Sequence, residues 1–302
     1  MASAKVSVVI PAYNHERFIG PAVESVLAQT HTDLELIIID DGSTDRTAEV
    51  IHRYQDERIQ YVYQENQDAY NALNRGLSLV SGDYVAILNS DDIYTMDRLQ
   101  RLLDEQRASR AQCLFSRVQL INDDGEELRD PALWWNTWYA DAVGRYLDSN
   151  DLYTAFLQRN VLVTTSNFFL TREAMHKVGG FSPLRYLHDY DYIFRVLLAF
   201  PEQVRFLHEE SLLFYRIHGS NTISEAAITG REQDKAVIRK YLLARLPENV
   251  QSLAAAGMDR LVELEQELMQ ERRRREGMAL PGIRIQAKNL LRSCAKRLLG
   301  RA

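Results

Sequence analysis

An α/β fold on a mostly parallel sheet, covered by helices on both faces, is the class the sequence predicts. Three observations predict it. The first hundred residues alternate β-branched runs with segments of helical spacing. The runs are apolar almost throughout, as strands buried on both faces are. Several of them end in polar or acidic residues, at the carboxyl edge where open α/β sheets gather ligands.

The elements follow in order. "KVSVVIPAYN" is a strand ending at Pro11–Asn14, and "FIGPAVESVLAQT" is a helix. "LELIIIDDGSTD" is a strand running into Asp40 and Asp41, with Ser43 and Thr44 expected to cap the helix "AEVIHRYQ". "RIQYVYQE" is a third strand, "AYNALNRGLSLVSG" a helix closed by Gly82, and "DYVAILNS" a fourth strand leading to Asp91 and Asp92. In the middle third, "CLFSRVQLIND" and "VLVTTSNFFLT" read as strands, and "DPALWWNTWYADAVG" reads as an aromatic loop. "REAMHKVGGF" is a short helix closed by glycines. "LHDYDYIFRVLLAF" is an apolar helix with acids in its first turn, where the helix dipole favours them. "SLLFYRIHGSNT" is a strand entering a polar turn.

From about Ile228 the composition turns helical and charged, so a main domain over 1–225 and a helical extension over 226–302 are expected. In the last segment Arg284, Lys288, Arg292 and Lys296 fall on one helical face, and Ala287, Leu290, Leu291, Cys294 and Leu298 on the other. Two readings stand: a solvated face packed on the main domain, or an interfacial helix docked on anionic lipid. "VELEQELMQERRRR" suits helix pairing between two subunits of a homodimer.

The chain of 302 residues, 46% hydrophobic and 26% charged, is long enough to bury a large core. Its net charge of -6 gives no pointer to nucleic acid. Two cysteines, Cys113 and Cys294, are too few for a disulfide framework or a thiolate metal site and fit a reducing compartment. No apolar run is long enough to span a bilayer, and the N-terminal one is short and interrupted by Pro11. A cytoplasmic location is expected, peripheral at the inner face of the membrane if the basic helix docks there.

Three readings of Asp91 and Asp92 compete: caps for the next helix, a phosphoryl-transfer site, and a divalent metal site. G-x-x-x-x-G-K-[ST] and G-x-G-x-x-G are both absent, which leaves phosphoryl transfer and ordinary dinucleotide binding unsupported. Mg²⁺ or Mn²⁺ takes hard oxygen ligands, commonly one or two carboxylates plus substrate phosphates, and so bound would neutralise a leaving diphosphate. A nucleotide pocket is offered on the same edge. Tyr13 is placed to lie against a base, and Asp41 to accept from a base N–H.

These segments together resemble the inverting nucleotide-sugar glycosyltransferases of family 2, which have the GT-A fold, a Rossmann-like, mostly parallel sheet. The resemblance runs from about Val6 to Thr222. It rests on "SVVIPAYN", "SVLAQT", "LIIIDDGSTDRT", "NALNRGL", "GDYVAILNSDD", "VGGF", "HDYDYIFR" and "YRIHGSN", all in order. It implies that Pro11, Ala12 and Tyr13 cradle the base and that Asp41 bonds a uracil N–H of a UDP-sugar. "NSD" matches the family's D-x-D, with Asn89 near the ribose, Ser90 between, and Asp91 on a divalent metal, Mn²⁺ or Mg²⁺. Asn89 stands where the family usually has a first Asp, so the site carries one charge fewer. Asp92 is expected to support Asp91 from behind.

Inverting transfer needs a base for the acceptor hydroxyl. "HDYDYIFR" matches the family's "ED" helix, which places the base at Asp189, with His188 where Glu is usual. "YRIHGSN" matches a segment near the diphosphate, so His218 is a candidate metal ligand and Arg216 a candidate phosphate contact. Trp134 and Trp135 in "LWWNTWY" stand between two readings, an acceptor-sugar platform and a packed lid or subunit contact. The implied acceptor is a hydroxyl of a glycan or lipid-linked glycan in surface polysaccharide or glycolipid assembly. A rival from another class is a non-catalytic nucleotide-sugar-binding or scaffold protein that keeps the fold. Asp41, Asp91 and Asp189 argue for the enzyme.

Overall fold

β1 (Val6–Ala12) is buried along almost its whole length, because Val6, Val8, Val9 and Ile10 meet side chains on both faces of the sheet. The computed structural model describes residues 4–219 and 229–279. β2 (Leu34–Asp41) lies parallel to β1 on one side, with β3 (Ile59–Gln64) beyond it, and β4 (Tyr84–Ile87) lies parallel on the other. The register sets Val9 opposite both Ile37 and Ile87, so β1, β2 and β4 bring their acidic ends to one edge. Past β4 the direction reverses. β7 (Phe169–Thr171) and β4 are antiparallel, and so are β6 (Cys113–Ile121) and β7. β8 (Val204–Arg216) runs parallel to β6, and the short β5 (Ile93–Tyr94) closes the order β3-β2-β1-β4-β7-β6-β8-β5.

The helices are α1 (Ile19–Leu27), α2 (Thr47–Ile51), α3 (Ala69–Leu79), α4 (Arg98–Ser109), α5 (Trp134–Ser149), α6 (Leu152–Gln158), α7 (Arg172–Val178) and α8 (His188–Ala199). α3 covers the parallel half: Ala72 packs with Val9, Ile37 and Ile39, each apolar side chain contributing about 1.5–3 kcal/mol. Gly76 lets α3 approach this closely, since a Cβ there would collide with Val9. The first compact unit ends at Ile238, and a second begins at Arg239. α9 (Thr229–Ala244) crosses that boundary, and the second unit continues as α10 (Glu248–Ala279). Leu253, Leu261, Leu264 and Leu268 are exposed along α10. No described helix is long and apolar enough to cross a membrane. The basic segment with Arg284, Lys288, Arg292 and Lys296 lies outside the described residues.

Four local expectations are corrected. "LWWNTWYADAVG" is helix α5 rather than loop, because Trp135, Tyr139, Ala142 and Val143 recur at helical spacing and are buried. "VLVTTSNFFLT" is strand only over Phe169–Thr171; its polar half forms a 3-10 turn, Thr165–Asn167. Ser43 and Thr44 do not cap α2, which starts at Thr47 with no side-chain cap from Arg46. Gly82 does not close α3. It lets the chain pass Lys5 and Ser7, where any Cβ would clash with backbone.

At the opposite, amino-terminal end of the strands, Glu35 accepts from Lys5 Nζ, Ser7 Oγ and the backbone and hydroxyl of Ser81. Burial opposes its charge, but these bonds outweigh burial and hold the carboxyl down at about 2. Glu35→Ala leaves the buried Ser7 hydroxyl without its acceptor, an expected cost of about 1–3 kcal/mol. The folded pKa lies below the unfolded value of 4.5, so this stability is complete above 4.5 and is lost as pH falls toward 2. Urea melts at pH 7 and pH 3 check it; equal wild-type-to-variant gaps at the two pH values would reject the assignment.

Candidate active site

Asp91 stands just past β4, and His218 two residues past the end of β8. Beyond the antiparallel β7, β6 and β8 run parallel to β4 again, so β4 and β8 end at the same edge, with Asp91 Oδ2 3.0 Å from His218 Nε2. His15, three residues past β1, completes the group: one ligand atom from each of the three lies within 4.8 Å of the others. His15 Nδ1 is 2.7 Å from Ser90 Oγ, and the Phe18 ring lies 4.6 Å from that of His218. A cavity of about 470 Å³ opens beside the two histidines, lined also by Asn14, Glu16, Asp45 and Asp123. One carboxylate and two imidazoles at this spacing fit a divalent ion that accepts both oxygen and nitrogen donors.

The electrostatics divide the acidic pair. Burial disfavours the charge of Asp91, yet the hydrogen bond from His218 and the charges of both histidines hold its carboxyl below the usual range. Burial first, and then the charge of Asp91, push Asp92 well above it. Asp92 accepts from Ser166 Oγ, Thr164 Oγ1 and the Arg216 backbone N–H, so its oxygens face the protein. Burial lowers the His15 pKa, with Asp91 pulling it back, which favours the neutral, ligand-ready ring.

The donor-side residues occupy the same edge. Tyr13 is 47% exposed, free to meet a base, while Ala12 is buried and Pro11 half-buried. Asp41 Oδ1 accepts from Gln64 Nε2 and the Gln67 backbone N–H, and Oδ2 has no partner among the described residues. Burial raises its pKa against those bonds. Asn89 donates its Nδ2–H to Thr164 Oγ1 and its backbone N–H to Ser166 Oγ. Ser90 is buried and turned to His15.

Asp189 lies in the first turn of α8, 7% exposed. Its Oδ1 accepts from the Tyr190 N–H and its Oδ2 from Asn160 Nδ2 at 3.4 Å. Burial raises its pKa and His188 opposes the rise, a direction that suits a proton acceptor. Asp191 is engaged elsewhere, with Ser182 and Arg195.

Two further candidates are held by protein contacts. Arg216 turns inward: Nε donates to the Asp91 carbonyl, and Nη1 to those of Asn122 and Asp123. It joins the loop of Asp91 to that of Asn122 and Asp123 through their carbonyls. Trp135 is 5% exposed and packs on Tyr139 and Tyr215, so its faces are occupied by protein. Trp134, on the other side of α5, is exposed.

Sequence reasoning missed His15 and the segment 160–167. His15 directly follows "PAYN", and its place on the ligand edge was the available signal. The polar run "TTSN" inside an apolar stretch was the other. Asn160 reaches Asp189, Thr165 Oγ1 lies 3.2 Å from His188 Nε2, and Thr164 and Ser166 hold Asn89 and Asp92. The segment thus links Asp189 to Asn89 and Asp92. Val163 between them has φ +74, a left-handed conformation costing a β-branched residue about 1–3 kcal/mol. The fully buried Arg98 fastens its far end through the Asn167 carbonyl at 3.0 Å and Ser116 Oγ at 3.0 Å.

The sequence profile of glycosyl transferase family 2 matches residues 7–180. A glycosyltransferase of Nostoc sp. is 32% identical over 236 residues, 76% of this chain and 70% of that one. A putative teichuronic acid biosynthesis glycosyltransferase of Bacillus subtilis is 40% identical over 126 residues, 41% of this chain and 50% of that protein. Among solved structures, TarS 1-349 of S. aureus with UDP-GlcNAc superposes with a TM-score of 0.61 at 16% identity, covering 82% of this chain and 69% of that one. A mannosyltransferase of Pyrobaculum calidifontis, in complex with GDP-Man and Mn2+, gives 0.60 at 16% identity over 85% and 70%. At that identity the superpositions speak to the fold, which is GT-A. The chain belongs to glycosyl transferase family 2 and is a nucleotide-sugar-dependent transferase.

Proposed function

We propose that the protein moves a sugar from a UDP-sugar to an acceptor hydroxyl in surface polysaccharide or glycolipid assembly, with inversion at the anomeric carbon. The observation that carries this is the Asp91–His218 pair, 3.0 Å apart, on the sheet edge that also presents Asp41 and Tyr13. Tyr13 lies against the base, Asp41 Oδ2 accepts a base N–H, and Asn89 meets the ribose. A divalent ion held by Asp91 and His218 would neutralise the departing diphosphate. Asp189 takes the acceptor's proton as the new carbon–oxygen bond forms and the bond to the diphosphate breaks, the electron pair leaving on phosphate oxygen. The UDP-GlcNAc bound by TarS and the teichuronic acid role given to the Bacillus protein support donor and pathway class.

Calorimetric titration with UDP, with and without Mn²⁺, tests the donor. Binding that requires the metal is the expected result; GDP binding in place of UDP would overturn the choice of nucleotide. With turnover in hand, the anomeric coupling of the product decides stereochemistry, and retained configuration would reject the inverting assignment. Donor binding with neither transfer nor donor hydrolysis would mean a binding protein.

A further inference from the structure

We infer that His15 is a third protein ligand of the divalent metal and that, with His218, it makes the site select a first-row transition ion over Mg²⁺. The inference rests on the proposed metal-dependent transferase and adds to it a ligand outside the D-x-D segment. Three features of the chain support it.

The first is position. A ring nitrogen of His15, a ring nitrogen of His218 and a carboxylate oxygen of Asp91 all lie within 4.8 Å of one another, close enough to share one ion. The two imidazole rings meet edge to face at 5.6 Å, so the nitrogens converge without the rings clashing.

The second is orientation. Metal-bound histidines give their other ring N–H to a fixed acceptor, which sets the tautomer. Ser90 Oγ, itself buried and 2.7 Å from His15 Nδ1, is such an acceptor. With Nδ1–H donated there, Nε2 keeps the lone pair. The side chain between Asn89 and Asp91 thereby acquires a purpose that nucleotide contact does not supply.

The third is preorganisation. Asn14 turns left-handed, φ +51, immediately before His15. The His15 N–H donates to Thr47 Oγ1 and the Glu16 N–H to Asp45, while Asp45 also accepts from Thr47. Asn14 exchanges bonds with Ser43 and Thr44. The "DGSTDRT" loop therefore uses its hydroxyls and the Asp45 carboxylate to fix the segment that carries His15, with Asp45 also accepting the first N–H of α2.

Selectivity follows from the donor set. Mg²⁺ demands near-ideal octahedral oxygen coordination and sheds water reluctantly, whereas imidazole suits the first-row transition ions. Two neutral imidazoles and one carboxylate leave coordination positions open for diphosphate oxygens. They also add a nitrogen donor where Asn89 has removed an anionic oxygen, a gain in ligand bonds and not in charge.

The test is Mn²⁺ binding to the full chain without nucleotide, followed by electron paramagnetic resonance with pulsed detection of ¹⁴N couplings. Wild type is expected to bind one Mn²⁺ with couplings from two imidazoles and to keep it against a hundredfold excess of Mg²⁺. His15→Ala should bind at least about tenfold more weakly, show one imidazole, and yield to the same Mg²⁺. Ser90→Ala should weaken binding by less and keep both couplings. Should His15→Ala fail to fold, the wild-type spectrum decides alone. One imidazole in wild type, no Mn²⁺ binding without nucleotide, ready displacement by Mg²⁺, or unchanged affinity in a folded His15→Ala would each overturn the inference. Donor hydrolysis by a protein that fails this test would sink the His15 assignment and leave the transferase; Mn²⁺ binding as expected without donor turnover would do the reverse.

Discussion

Asp189→Asn is expected to lower the rate of sugar transfer by about 10²–10⁴-fold while UDP and Mn²⁺ affinities stay within about twofold. The substitution keeps the shape of the side chain and its acceptor for the Tyr190 N–H, and removes only the ability to take a proton. Its effect on stability has the opposite sign. Burial raises the folded pKa of Asp189 above its ordinary 3.8, so the ionised form costs the native state free energy at neutral pH. The Asn variant should therefore melt at or above the wild-type temperature. The acid limb of kcat/KM in wild type should lie above the ordinary carboxylate range, activity falling as pH drops through the raised pKa, and His188→Gln should move that limb further up. A variant that retains full transfer, or one that loses nucleotide binding along with it, would remove Asp189 from the role of base.

Asp91→Asn carries the second large effect. Loss of the only carboxylate in the His15–Asp91–His218 group should weaken metal binding by at least about 10–100-fold, because even supporting contacts to metal ligands are worth that much. Transfer should fall by a further factor on the order of 10²–10³, the range for removing one charge-stabilising contact from a developing anion. UDP binding should become insensitive to Mn²⁺. Asp92→Asn separates position from ligation. Burial holds its carboxyl well above the usual range, so, as at Asp189, the Asn variant should keep its stability, while the altered bonds with Ser166 and Thr164 lower metal affinity by less than Asp91→Asn does. Metal-dependent UDP binding in Asp91→Asn equal to wild type would place the ion elsewhere.

The parallel half of the sheet was legible in the sequence because doubly buried strands have a continuous apolar signature. Val6–Ala12, Leu34–Asp41 and Tyr84–Ile87 all carry it, and the acids at their ends mark the ligand edge without reference to distant residues. Asp91 and Asp189 enter as candidates through motif order and His218 through its turn after a strand, and the sheet edge brings Asp91 and His218 to 3.0 Å. The aromatic segment at Trp134 was misread because tryptophans obscured a helical period that only burial on Tyr139 and Tyr215 makes plain.

By itself the sequence determined the fold class, the family, the donor edge and the identity of the acids on it. These depend on local pattern: hydrophobic period, strand-end chemistry and short motifs. Only the tertiary structure decided which of the polar residues meet. His15, Asp91 and His218 are 76 and 127 residues apart along the chain, and they converge because β1, β4 and β8 run parallel and end at one edge, on either side of the antiparallel β7. Arg216 meets the carbonyls of Asp91, Asn122 and Asp123, and the segment of Asn160 and Ser166 links Asp189 to Asp92, for the same reason. A side chain's partner is set by which strand ends the fold brings together, and that pairing leaves no periodic trace in the order of residues.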